Sequence, residues 1–374
     1  MIEGAGSPAE LNLRDGDIVN MPVALHARSP VLLAGDIDRG GVMASLYGTV
    51  SLLPDQERRL IKGLIINRFR GDLSIVHPLP EMITQRTGVP VIEIVPYLHD
   101  LQVQEEDAAA LERLGQDGAS AECALIAAAI YPPSVSNFDD IDPLARMEGA
   151  RVRVARRPRD LSDAHLIVLP GSESTISDLR SRGLIEATLA ASRRGAAVVG
   201  ICGGYQMLGE HLDALGGLDC EHPDSETGLG LLLLRTEFEA TKRTARVAFM
   251  LRPGPGLLAG EEAVNGDGYE IHTGRTSSEA GRGDATAPVQ VEGPGSARAS
   301  RESSSDGWVL GTYVHGFFDS TQVRRRITGN IAARNGLPTP VDRDFSMEEE
   351  FGRLASAVRG ALDMGFVYSL IDGS

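Results

Sequence analysis

The sequence predicts an α/β protein built on parallel sheets and divided into two units. Three observations carry this reading. Short, continuous apolar runs alternate with helix-like stretches, as expected of strands buried on both faces between covering helices. The alternation is interrupted by an acidic, alanine-rich stretch over residues 100–120 and resumes at Cys123. The 374 residues are long for one domain and short for three, at ~150 residues per domain.

The elements follow in order. Residues 30–34 read as a buried strand ending at Gly35-Asp36, and 42–53 as a helix stopped by Pro54. A second strand covers 61–67, a helix lies near 80–87, and a third strand covers 89–96. Residues 100–120 read as a solvated helix leading into a linker. In the second unit, 123–130, 151–155, 165–169 and 196–201 read as strands, with helices near 176–179 and 185–194. After Gly228 the pattern turns β-rich, with strands over 229–235, 245–251, 268–272 and 308–314. Residues 276–306, rich in Ser, Gly, Ala and charge, read as an excursion without packed elements. A helix begins near Thr321, and a longer one follows Ser346, where Ser346-Met347-Glu348-Glu349 fits an S-x-x-E capping box. The expected organisation is a first domain over 1–104, a linker over 105–120 and a second domain over 121–374.

Composition narrows the class. There are 36 Lys and Arg against 52 Asp and Glu, a net charge of −16, which argues against a nucleic-acid partner. Three widely spaced cysteines, Cys123, Cys202 and Cys220, do not make a disulfide framework and fit a reducing compartment. No apolar run reaches the ~18 residues of a bilayer span. The start MIEGAGSPAE has neither the basic residues nor the apolar core of a signal peptide. A cytoplasmic enzyme is the expectation. Only two lysines occur, Lys62 before Gly63 and Lys242 before Arg243. A phosphate loop of the form G-x-x-x-x-G-K followed by Ser or Thr is therefore absent from the sequence.

The most informative stretch is Gly200-Ile201-Cys202-Gly203-Gly204-Tyr205-Gln206. It has the G-x-nucleophile-x-G form of an elbow between an apolar strand and a helix. The turn is too tight for side chains beside the nucleophile, hence the glycines. A cysteine there sits at a helix N-terminus, where the dipole and free N–H groups favour the thiolate. The backbone N–H of Gly203 is positioned to face an oxyanion. Leu169-Pro170-Gly171-Ser172 is a second strand-to-turn junction, and its N–H groups at Gly171 either complete the oxyanion hole or belong to a plain helix cap at Ser172.

The thiol needs a base. Among eight histidines, His315 in Tyr313-Val314-His315-Gly316-Phe317 stands at a strand exit, where the catalytic groups of α/β sheets collect. His272 in Gly268-Tyr269-Glu270-Ile271-His272 is its rival.

ICGGYQMLG, LPGSESTISDLR, GYEIHTGRT and YVHGFFD together resemble the glutamine amidotransferase domain of the cobyric acid synthase family. The first half resembles the same family, in the same order, through EGAGSPAELNLRDGDIVNM, LLAGDIDRGGVMASLYG, IINRFRGD and SNFDDIDPL. The EGAGSPAE and GDIDRGG pair separates it from the related cobyrinic acid a,c-diamide synthases.

The resemblance implies a dethiobiotin-synthetase-like domain, here incomplete, followed by a class I, flavodoxin-like glutaminase domain. It implies ammonia release from glutamine through a cysteinyl thioester at Cys202, with His315 as base and acid. It implies ATP and Mg2+ for phosphorylating the b, d, e and g carboxylates of adenosylcobyrinic acid a,c-diamide, which ammonia converts to adenosylcobyric acid. Many class I glutaminases read His-x-Glu, but position 317 is Phe, so Asp319 and Glu270 are the candidates for orienting His315. Glu3 matches a position near Mg2+ and the transferred phosphate; Asp36, Asp38 and Arg39 match substrate or metal contacts; Asn67 resembles an adenine-reading asparagine. Each of these is equally compatible with ordinary turn chemistry at strand ends.

The resemblance places a Gly-rich phosphate loop in a segment ahead of EGAGS, whereas this sequence begins two residues before that motif. The expectation is a start assigned too late or a gene truncated or split there, and a chain that by itself lacks ATP competence. A glutaminase without synthetase activity, a non-catalytic subunit, or a glutaminase serving another carboxylate are the alternatives.

Overall fold

The computed structural model describes residues 1–4, 6–38, 40–72, 76–98, 101, 125–130, 140–171, 183–214, 226–278, 287–292, 302–342 and 347–372. The expected helix near 176–179, most of the 100–120 stretch, Arg39, Cys123, Cys220 and the Ser346 cap lie outside them. The chain forms two compact units, one of Met1–Val103 with Ser346–Ser374, the other of Gln104–Phe345.

The first unit holds β1 (Val31–Asp36), β2 (Ile61–Phe69) and β3 (Val91–Pro96), in that order and all parallel. β1 and β2 run in register from Leu32 opposite Gly63 to Asp36 opposite Asn67. Helices Val42–Leu52 and Pro78–Thr87 supply the crossovers that parallel pairing requires. Their buried Leu46, Val50 and Ile83 pack with Leu64 and Ile66 of β2.

Helix Met347–Ala361 packs against β3 and belongs to this first unit, so the expected second domain over 121–374 ends about thirty residues early. The reason lies in its sequence. Leu354, Ala357, Val358 and Ala361 recur at three- and four-residue spacing as a half-buried stripe, which a sheet face covers.

In the second unit β4 (Leu125–Ile130), β5 (Ala150–Ala155), β6 (Leu166–Leu169), β7 (Ala197–Ile201) and a later strand, β13 (Val309–Thr312), form a five-stranded parallel sheet in the order β13-β7-β6-β4-β5. Successive residues feed opposite faces, as the period of two demands. Ala197, Val199 and Ile201 join the core that holds Phe317, Phe318, Ile327 and Ile331. Val198 joins the other, with Leu169, Leu184 and Tyr205. Helix Leu184–Arg193 thus covers one face and helix Thr321–Asn335 the other.

A second sheet is mainly antiparallel. It comprises β8 (His211–Ala214), β9 (Glu226–Thr227), β10 (Leu234–Leu251), β11 (Val264–Ser278), β12 (Val289–Glu292) and β14 (Val314–His315). The sequence reading split β10 into two strands over 229–235 and 245–251. The structure instead runs through, with an irregularity between Phe238 and Arg243 that absorbs the charged residues between them. Residues 276–306 are not wholly without elements either: β11 continues to Ser278, and Val289–Glu292 pairs with β10. The polar surroundings concealed a four-residue strand that buries Val289.

Candidate active site

β7 ends at Ile201, and the chain turns at Cys202 into the short helix Gly203–Met207. Cys202 has φ 53° and ψ −111°, a conformation an L side chain rarely adopts. The packing enforces it. A Cβ on Gly200 would stand 2.6 Å from the Gly204 carbonyl oxygen, and one on Gly204 would stand 1.9 Å from that of Leu169. Neither position accepts a larger residue. The Cys202 N–H donates to the Thr312 carbonyl at 2.9 Å, which ties the elbow to the end of β13.

That tie brings His315 to the cysteine. β13 ends at Thr312, and after Tyr313 the chain enters β14 of the second sheet, where His315 pairs with Tyr269 of β11. The imidazole is 2% exposed and stacks on the Tyr269 ring at 5.0 Å. Its Nδ1 lies 2.8 Å from Oδ2 of Asp140, itself 1% exposed. The Gly316 N–H donates to the other carboxylate oxygen at 2.7 Å, fixing Asp140 at both ends. Because a carboxylate only accepts, Nδ1 carries the proton of this contact, and Nε2 is the nitrogen left for Cys202.

Burial opposes charge on His315, yet the Asp140 hydrogen bond and the neighbouring Cys202 sulfur outweigh it, and its pKa is pushed up to about 10. Nε2 is buried, with the Cys202 sulfur as its neighbour. The Cys202 thiol has two neighbours for its proton, this imidazole and the Ile271 carbonyl 3.3 Å from Sγ. The arrangement can therefore hold a nucleophilic sulfur, a proton acceptor and a carboxylate that orients the acceptor.

Neither expected orienting residue serves. Glu270 is fully buried but paired with Arg243, Oε2 to Nε at 2.8 Å, and Asp319 is exposed. Asp140 takes the position instead. It lies in the SNFDDIDPL segment already singled out, but nothing local marked it, because its partner is 175 positions away. His272 is tied to the Gly274 carbonyl through Nδ1 at 2.8 Å and stacks on Tyr313 at 3.8 Å. Tyr313 in turn joins a buried chain, 2.6 Å from Thr276 Oγ1 and 3.2 Å from Gln206 Nε2, and burial raises its pKa. This chain braces the underside of the elbow.

Gly203 begins the helix after Cys202 and is buried. Gly171 is buried just beyond β6, the parallel neighbour of β7, so both glycines lie at the carboxyl end of the sheet. Ser172 and its proposed cap lie outside the described residues.

In the first unit Asp36 and Asn67 end up side by side across β1 and β2, and Asp38 follows two residues on. Asp36 pairs with Arg68 at 3.5 Å and Asp38 with Arg70 at 3.1 Å. The two arginines were not among the expected site residues. Glu3 is exposed on the N-terminal segment.

Known proteins resemble this chain over most of its length. The family described as CobB/CobQ-like glutamine amidotransferase domain matches residues 126–323. Cobyric acid synthase of Sorangium cellulosum (strain So ce56) is 42% identical over 386 residues, covering 99% of this chain and 74% of that protein. Cobyric acid synthase of Dehalococcoides mccartyi (strain CBDB1) is 40% identical over 379 residues, covering 100% and 74%. That of Salmonella agona (strain SL483) is 42% identical over 381 residues, covering 99% and 73%. Among solved structures, PurLQS from Thermotoga maritima has a TM-score of 0.42 at 16% identity, covering 57% of this chain and 99% of that one. The chain belongs to the cobyric acid synthase family, glutamine-dependent amidoligases that carry a glutamine amidotransferase domain.

Proposed function

We propose that Cys202 supplies ammonia from glutamine for amidating the b, d, e and g carboxylates of adenosylcobyrinic acid a,c-diamide to adenosylcobyric acid. The observation that carries this reading is the Cys202, His315 and Asp140 arrangement in a member of this family. The thiolate attacks the side-chain amide carbon of glutamine, and the N–H groups of Gly203 and Gly171 receive the oxyanion. His315 passes a proton from Nε2 to the departing nitrogen, which leaves as ammonia and a cysteinyl thioester remains. His315 then takes a proton from water, hydroxide attacks the thioester, and glutamate departs with Cys202 restored. Asp140 holds the ring throughout.

The first unit is the proposed site of carboxylate activation, where ATP transfers a phosphoryl group to the substrate and ammonia displaces phosphate. Asp36 and Asp38 at the carboxyl end of β1, with Arg39 and the exposed Glu3, are the side chains offered to substrate and Mg2+, and Asn67 the one offered to adenine. The donor chemistry fits: Mg2+ takes one or two carboxylates together with nucleotide phosphates. When bound, it neutralises charge developing on the transferred phosphate. ATP and glutamine are cytoplasmic metabolites, and the reading places the chain there.

The test compares the wild type with Cys202→Ala in two assays. We expect loss of glutamate release from glutamine in the variant, and, with ammonia supplied directly, amide formation on the corrinoid diamide equal to that of the wild type. Undiminished glutamate release would remove Cys202 from the reaction. Glutamate release by the wild type without any amide formation would reduce the function to ammonia supply.

A further inference from the structure

Three non-glycine residues among those described have positive φ: Arg28, Cys202 and Arg68. Arg28 ends helix Met21–Ala27 in the left-handed conformation usual for a helix end, and Cys202 is the elbow. Arg68 has neither reason. It sits at φ 62° inside β2, one residue before the strand ends, and the register with β3 is irregular between Ile66 and Phe69.

The surroundings show what this conformation does. Asn67 Oδ1 accepts the Arg68 N–H at 2.9 Å, and the Ile37 N–H donates to the Asn67 carbonyl at 3.1 Å. The backbone is thereby held against β1 while the Arg68 side chain turns to Asp36, Nη1 3.5 Å from the carboxylate. Two residues on, Arg70 lies 3.1 Å from Asp38 and stacks with its guanidinium carbon 3.6 Å from the centre of the Tyr97 ring. The Tyr97 N–H donates to the Phe69 carbonyl at 2.8 Å, which fixes that ring to the end of β2. Two guanidinium groups are thus held at the carboxyl end of a parallel sheet, the edge at which open α/β sheets bind ligands. They retain 34% and 46% exposure, so each keeps donors facing outward.

We propose that Arg68 and Arg70 form an anion site that binds a carboxylate of the acid to be amidated. This rests on the reading of the first unit as the activating site. Each arginine presents five donors in a planar fork, more than one carboxylate at over 3 Å satisfies, so a second anion can be taken without releasing Asp36 or Asp38. The stack on Tyr97 and the turn at Asn67 set the forks in advance, which lowers the entropy lost on binding. A phosphate of the nucleotide presents the same chemistry, and the test separates the two.

The test measures binding of the corrinoid diamide and of ATP to the full chain, together with glutamate release. Arg68→Gly removes one fork and suits the positive φ; Arg70→Gln removes the other while keeping a polar side chain. We expect each variant to bind the corrinoid diamide about tenfold more weakly, as for a lost charge-assisted bond at a partly exposed site, with ATP binding and glutamate release unchanged. Arg68→Gly should unfold no more readily than the wild type, which a merely structural Arg68 would not allow. Weakened ATP binding with unchanged corrinoid binding would overturn the assignment to carboxylate in favour of phosphate. Unchanged binding of both by both variants, with a wild type that binds them, would overturn the anion site and leave the reading of the unit standing. A wild type that binds neither would overturn that reading and the site with it.

Discussion

Nδ1 of His315 lies 2.8 Å from Oδ2 of Asp140, and both side chains are buried almost completely. A buried imidazole with one nitrogen committed to a carboxylate has only its other nitrogen left to face Cys202. Asp140→Asn should therefore lower kcat for glutamate release by about 100-fold or more, by analogy with the loss of an orienting carboxylate in hydrolytic triads. KM for glutamine should change little, since Asp140 is set to touch the ring and not the substrate. Steady-state kinetics check this, and an unchanged kcat would show that His315 needs no orienting carboxylate.

The raised pKa of His315 makes a signed prediction for stability. Its folded value of about 10 lies above the ordinary 6.5. The stabilisation from this group is fully present below pH 6.5 and is lost as pH rises through 10. Urea unfolding across that window should show a steeper fall for the wild type than for His315→Gln. Parallel profiles would mean that the ion pair contributes nothing to folding.

Gly204→Ala should cripple both fold and activity. The added carbon would meet the Leu169 carbonyl oxygen at 1.9 Å, backbone against backbone, with no flexible side chain to yield. We expect a loss of about 3 kcal/mol, the upper range for overpacking, with glutamate release falling together with it as the elbow shifts. Denaturant titration and the glutaminase assay check the two effects.

Tyr313→Phe removes the hydroxyl that links Thr276 to Gln206 beneath the elbow. Gln206 is left buried without that partner, while Thr276 keeps Thr236 at 2.8 Å. The cost should be about 1–2 kcal/mol, with the Cys202 chemistry retained. Loss of activity without loss of stability would instead place Tyr313 in contact with the substrate.

Much of this was legible along the chain. The strands β1, β2, β4, β6 and β7 lie within two residues of where their apolar runs put them, because an unbroken apolar run bounded by turn residues marks a strand directly. The Cys202 elbow was legible too, since glycine spacing reports steric exclusion directly, and Gly200 and Gly204 meet backbone oxygens where that spacing requires it. The single strand β10 was not legible, because it carries charged residues through its irregularity at Phe238–Arg243.

What the sequence by itself determined is the strands of the parallel sheets, the glycine elbow at Cys202 and the histidine brought near it, all written in local periodicity and local sterics. The tertiary structure alone decided the partnerships: Asp140 rather than Glu270 or Asp319 beside His315, helix Met347–Ala361 with β3 rather than the second unit, and a left-handed Arg68 turned onto Asp36. A carboxylate, an amphipathic stripe or an arginine looks the same in sequence whichever surface it meets. Its partner is chosen only when folding brings distant segments together and burial makes an unmatched charge or apolar face costly.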